Sequence, residues 1–133
     1  MLSFLSPAWV AALDEAARAS GPLAAGCEDL DLVIEQRITG RPDGDVAFHL
    51  TLRHGRASVT AGPAASPTIT FVQDLATARS IASGEGSAQR AFMAGDLRIG
   101  GDLRILLDHQ EVLAGIDDVF RSVRADTDLA AGG

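Results

Sequence analysis

The sequence predicts an α+β domain in which one sheet carries helices over one of its faces. Three observations carry this. Between residues 29 and 61, apolar and polar residues alternate with a period of two, in three runs separated by turn residues. Near both ends of the chain, apolar residues recur at helical spacing instead. Between them stand a strand pattern, two short helical patterns and a further strand.

The 133 residues, 47% of them hydrophobic, suit one domain with a core of its own. That domain is read as residues 1–125. The last stretch, 126–133, has no pattern and is read as a flexible tail.

Ser6-Pro7 opens the first helix. The Ser6 hydroxyl can accept from a free N–H of the first turn, and Pro7 fits the first helical position, where its missing donor costs nothing. Leu5 and Val10 stand at the spacing of a hydrophobic staple. Trp9, Leu13, Ala16 and Ala17 share one face, and Gly21-Pro22 is read as the stop.

Leu30, Leu32, Ile34 and Ile38 then alternate with Asp31, Glu35 and Arg37, as in a strand with one wet side. After the turn at 40–44, Val46, Phe48, Leu50 and Leu52 alternate with His49, Thr51 and Arg53. His54-Gly55 is a tight turn, and Ala57, Val59 and Ala61 mark a weaker third strand. The three read as an antiparallel meander with one face for the core and one for water.

A loop at 62–67 leads to a fourth strand, 68–72, holding Ile69 and Phe71. Asp74 caps a helix that carries Leu75, Ala78, Ile81 and Ala82 and ends at Gly84. Ser87 caps a second, from Ala88 to Ala94, closed by Gly95. The segment Gly95-Asp-Leu-Arg-Ile99 recurs as Gly101-Asp-Leu-Arg-Ile105, too few copies for a solenoid. Leu97 to Ile99 is a strand. Leu103 to Leu107 is either its hairpin partner or a helix capped by Asp102, and so short a run does not decide. Asp108-His-Gln-Glu111 has the form of a capping box. Behind it Val112, Leu113, Ile116, Val119, Phe120 and Val123 form the apolar stripe of the last helix.

Charge excludes several functions. Eighteen acidic residues against eleven arginines and no lysine give a formal charge of −7. Without a basic footprint there is no nucleic-acid partner, and anionic headgroups would repel the surface. No apolar run approaches the ~18 residues of a membrane span, so no stable membrane insertion is expected. The start lacks a secretory pattern, and lone Cys27 permits neither an internal disulfide nor a cysteine zinc site. The expected location is cytoplasmic.

Nor does a catalytic motif emerge. His49, His54 and His109 lie far apart, without metal-ligand spacing. There is no G-x-S-x-G elbow. Gly84-Glu-Gly-Ser87 lacks the ending of a phosphate loop, and Glu85 would repel phosphate. No catalytic residue, metal or cofactor is assigned. What remains is apolar: Ile69, Phe71, Phe92, Met93, Leu103, Leu106, Leu107 and the last helix's stripe converge on the covered face of the sheet. Ordinary core is the default reading of each, the wall of a cavity for an apolar ligand is the functional one, and periodicity does not separate the two.

The stretch Gln89-Arg-Ala-Phe-Met-Ala-Gly-Asp-Leu-Arg-Ile-Gly-Gly-Asp-Leu103 resembles the signature of the sterol carrier protein family, the small sterol- and lipid-transfer domains. Ala91, Phe92, Met93, Gly95, Leu97, Ile99 and Gly101 match in register. The Pro-Thr-Ile-Thr-Phe strand before an Asp-started helix is similar too, as is the meander. The resemblance implies a five-stranded mixed, mostly antiparallel sheet, helices on one face and a hydrophobic tunnel between the layers. It also implies that Leu103 to Leu107 is helix. Members bind sterols, fatty acids, acyl-CoA or phospholipids noncovalently. This chain departs from the well-known basic animal members in its acidity, and its Ala-Ala-Gly-Gly end lacks their peroxisomal Ser-Lys-Leu. Its composition resembles that of a GC-rich bacterial source.

Under that resemblance the tunnel residues are Ile69, Phe71, Ile81, Phe92, Met93, Ile99, Leu103, Leu106, Leu107, Leu113, Ile116 and Phe120. Ile69, Phe71 and Ile99 supply the sheet wall, Phe92 and Met93 close one end, and Leu113, Ile116 and Phe120 form a lid. The expected function is noncovalent binding and transfer of a hydrophobic small molecule or lipid, without catalysis. Two other readings stand beside it. One is an enzyme or enzyme accessory handling a hydrophobic intermediate, with Asp108 and His109 at the lid entrance as the groups to test. The other is a subunit whose apolar face docks on a protein partner or dimerises.

Overall fold

A computed structural model describes residues 2–42, 44–86, 88–124 and 127–128. A two-residue strand, β1 (Leu2–Ser3), precedes α1 (Pro7–Ala19). The Ser6 hydroxyl accepts from the Trp9 N–H at 3.2 Å, and Leu5 and Val10 are both buried beside the cap. α1 ends at Ala19, just before Gly21-Pro22, as expected, but that pair goes on to open a further short helix. Ser20 accepts from the Leu23 N–H at 3.3 Å and starts α2 (Gly21–Gly26). The proline that ends one helix is well placed in the first turn of the next.

The meander follows as β2 (Asp31–Thr39), β3 (Val46–Arg53) and β4 (Arg56–Ala61). β5 (Ile69–Asp74) then pairs with β2 in parallel, and β6 (Leu97–Gly101) pairs antiparallel with β5. The five-stranded order is β4-β3-β2-β5-β6, mixed and mostly antiparallel. At the β6 end, Gly101 (φ +96°) leaves room for the Thr68 carbonyl, which a Cβ would strike. This gives the signature glycine a structural reason.

One alternation fails. Glu35 occupies a position that the pattern marks as wet, but it is buried. The loop between β4 and β5 crosses the outer face of the sheet. There the Ala64 N–H donates to Glu35 Oε1 at 2.8 Å, and His49 Nδ1 bonds the Gly62 carbonyl at 2.9 Å. Glu35 and His49 are cross-strand partners, so the loop covers them together.

Helices cover the other face. Across edge strand β4, Asp14 of α1 accepts the Val59 N–H at 2.9 Å, satisfying a donor that the sheet leaves open. α3 (Leu75–Ser83) starts at Asp74, whose carboxylate accepts from the Thr77 N–H at 2.8 Å. α4 (Ala88–Ala94) comes next; Ser87, its expected cap, lies outside the described residues. α5 (Leu103–Asp108) is helix, not hairpin, and Asp102 accepts from the Arg104 N–H at 3.0 Å.

Asp108 closes α5 rather than capping the last helix. α6 (Gln110–Arg124) begins two residues later, with the Val112 N–H on the His109 carbonyl at 3.0 Å. It packs against α1, α2 and α3. The tail boundary also shifts, because β7 (Thr127–Asp128) pairs in parallel with β1. Thr127 is buried, and its hydroxyl donates to the Val123 carbonyl at 2.6 Å. So short a strand leaves no periodic trace in the sequence. The rest of the expected tail lies outside the described residues.

Candidate functional site: a cavity between sheet and helices

The inner face of the sheet and the helices above it do not meet everywhere. Between them lies a cavity of about 820 Å³. Ligand pockets occupy roughly 300–1,000 Å³. Core voids cost about 24 cal/mol per Å³, so an empty sealed space of this size would cost ~20 kcal/mol. A whole domain is stable by only about 5–15 kcal/mol. Such a space therefore has to open to solvent or hold a guest.

Its floor is the alternate residues of three central strands: Ile34, Gln36 and Ile38 of β2, Phe48 and Leu50 of β3, and Phe71 and Gln73 of β5. Leu97 and Ile99 of β6 extend it to the edge. Above stand Trp9 of α1, with Ile116 and Phe120 of α6. Ala78, Ile81 and Ala82 of α3 form a side wall. Phe4, Trp9, Phe48 and Phe120 make one aromatic cluster, with successive ring centroids 5.0 to 6.5 Å apart.

One side is open and greasy. Phe92, Leu103 and Leu107 line the cavity and yet are exposed, at 44%, 38% and 67%. They come from the ends of α4 and α5 and form an apolar rim. Elsewhere on the wall, Arg124 of α6 is held by its Nε donating to the Ala82 carbonyl at 2.7 Å.

The twelve residues expected from the sequence divide. Phe71, Ile81, Phe92, Ile99, Leu103, Leu107, Ile116 and Phe120 come together on the cavity wall. Ile69 does not: it is fully buried in the packed part of the core. Met93 does not either; it is 80% exposed and closes nothing. The side chains of Leu106 and Leu113 lie outside the described residues. The expected set omits Phe4, Trp9, Phe48, Leu50 and two polar residues, Gln36 and Gln73. The glutamines carry a signal: each occupies an inward-facing strand position where the pattern calls for an apolar residue.

Asp108 and His109 are not at the entrance to this cavity. His109 faces a separate hollow with Pro22, Ala25, Glu28 and Leu30, and Asp108 is exposed. Among the described residues, no carboxylate, histidine or cysteine lines the main cavity. Nor does any group of three His, Cys, Asp or Glu among them suit a metal ion. No helix among them is long and apolar enough to cross a membrane. Cys27 is buried, with its thiol 3.7 Å from the Arg56 carbonyl. Among the described residues, Asp74 shows a clear shift: the Thr77 backbone N–H, and then the Thr77 side chain, hold its carboxyl below the ordinary value near 3.8.

The family model described as the SCP-2 sterol transfer family matches residues 12–114. Among solved structures, the chain is similar to a crystal structure of sterol carrier protein 2, at 21% identity over 89% of this chain and 97% of that one, with a TM-score of 0.75. A conserved hypothetical protein from Thermus thermophilus gives 21% identity over 92% and 91%, with a TM-score of 0.74. The apo form of sterol carrier protein 2 from Yarrowia lipolytica gives 16% over 86% and 88%, with a TM-score of 0.61. At these identities the structural likeness speaks for the fold. No curated protein sequence matches the chain.

Proposed function

Since the chain belongs to the SCP-2 sterol transfer family, a family of lipid binding and transfer, we propose that it holds one apolar molecule noncovalently in the cavity between sheet and helices. The observation that carries this reading is the coincidence of volume and lining. The space of about 820 Å³ is walled by aromatic and aliphatic side chains from every layer of the fold. Each methylene moved from water into it contributes about 0.8 kcal/mol, so a long alkyl chain reaches micromolar affinity after ordering costs.

The open rim at Phe92, Leu103 and Leu107 supports entry from that side. Phe71 and Ile99 on the sheet, Ile81 on α3, and Ile116 and Phe120 on α6 would then touch the guest. The lining favours binding over catalysis, because acid–base chemistry needs a titratable group facing the guest. The described wall offers amides and arginines instead.

A fluorescent long-chain fatty acid tests the proposal. Its emission should rise on mixing and fall when unlabelled sterol, fatty acid or acyl-CoA is added. No change at tens of micromolar protein would overturn the reading.

A further inference from the structure

The cavity floor is apolar except at one place. Gln36 of β2 and Gln73 of β5 stand on adjacent parallel strands, both facing inward. Gln73 is flanked across the sheet by Ile38 and Leu97, and Gln36 by Phe71. Gln73 Nε2 donates to Gln36 Oε1 at 3.0 Å. Gln73 is only 9% exposed, and its Oε1 is buried with no hydrogen-bond partner.

A buried polar atom without a partner is uncommon, and it points to a group that arrives from elsewhere. Resting on the proposed lipid-binding cavity, we infer that Gln36 and Gln73 form a polar notch that selects a neutral lipid bearing a hydroxyl group. The Gln36 bond holds the Gln73 amide, leaving Oε1 as an acceptor in want of a donor. Oε1 is itself buried, but the Gln73 side chain borders the cavity and the terminal torsion of glutamine is soft, so a guest hydroxyl reaches Oε1 by a rotation that lengthens or exchanges the Gln36 bond. An alcohol supplies the missing O–H. An ether, an ester, a hydrocarbon or an ionised carboxylate has no proton to give, and the carboxylate would also bring a charge into an apolar recess. A hydroxyl further suits the pair if the two amides exchange roles, since it donates and accepts through one atom.

Two chain-matched probes test this, 1-tetradecanol and its methyl ether, each displacing the fluorescent fatty acid from the full chain. Hydrophobic partition alone favours the ether. The notch reverses that order, and the wild-type protein should bind the alcohol roughly tenfold more tightly. In Gln73→Leu the alcohol's advantage should vanish while the ether still binds. Equal binding of both probes by the wild-type protein overturns the inference and leaves the cavity reading intact. So does an advantage that survives in Gln73→Leu, which would assign the donor to another partner or to a buried water. The wild-type comparison stands whether or not the variant folds. If neither probe binds and the fatty acid does not either, the cavity reading falls, and the notch with it.

Discussion

The indole ring of Trp9 meets the phenyl ring of Phe48 edge to face, with centroids 5.5 Å apart and planes 84° apart. The first residue belongs to α1 and the second to the middle of the meander, so the pair ties helix to sheet at the cavity wall. Edge-to-face pairs contribute about 0.5–1.5 kcal/mol beyond area burial. Trp9 is also the one tryptophan in the chain. Its emission therefore reports the cavity without a label. Titration with 1-tetradecanol should give a saturable change in that emission, and a flat response would remove Trp9 from the guest's surroundings.

Ile69 and Phe71 lie two residues apart on β5, facing the same side, but one packs and the other looks into the cavity. Ile69→Ala should destabilise the fold by about 2–5 kcal/mol, as for a buried aliphatic residue cut back in a tight core. Phe71→Ala should cost less, because much of its ring already borders open space, and should weaken probe binding instead. Urea denaturation and probe titration on both variants separate the two effects. Equal destabilisation with unchanged affinity would mean that Phe71 is core.

Phe92 and Met93 are neighbours on α4 with different roles. Phe92 sits on the rim and Met93 points away from it. Phe92→Asp should lower affinity for an alkyl probe at least tenfold, since it puts a charge on the apolar wall that a bound chain would touch. Met93→Ser should leave affinity within twofold. Reversal of that order would place the entrance on the other side of α4.

Asp74 links the wall helix α3 to β5, and its carboxylate is favoured in the folded protein by the Thr77 N–H. A carboxyl held below its ordinary value stabilises the fold fully above the unfolded value, about 3.9, and loses that contribution as pH falls through the lower folded one. Asp74→Ala should cost about 1 kcal/mol at neutral pH. Its deficit relative to wild type should shrink below pH 4. A deficit that stays constant to pH 2 would show that the cap acts without its charge.

Much of the fold is legible in the sequence because local chemistry and tertiary packing agree. Ser6, Asp74 and Asp102 cap the helices they precede, and Ile116 and Phe120 of the α6 stripe look down across the cavity toward the sheet. Where they part, the cause is long-range. Glu35 reads as wet until a loop 29 residues away lays Ala64 across it. The candidate site is half legible for a related reason. A period of two reveals which side of β5 is turned inward, and so finds Ile69 and Phe71 together. Whether the facing helix reaches down to fill the space above each depends on helix placement, which no local pattern records. Gln36 and Gln73 escape such a reading because a polar residue in an inward position looks like weak patterning, when it marks the polar spot on the floor.

The claim that one apolar guest fits between sheet and helices meets its plainest trial in native mass spectrometry of the purified protein mixed with 1-tetradecanol. One adduct per chain is expected, with the mass of a single probe molecule, and it should be lost in Phe92→Asp. A spectrum that holds the bare chain alone at every excess of alcohol, fatty acid and sterol would refute the claim.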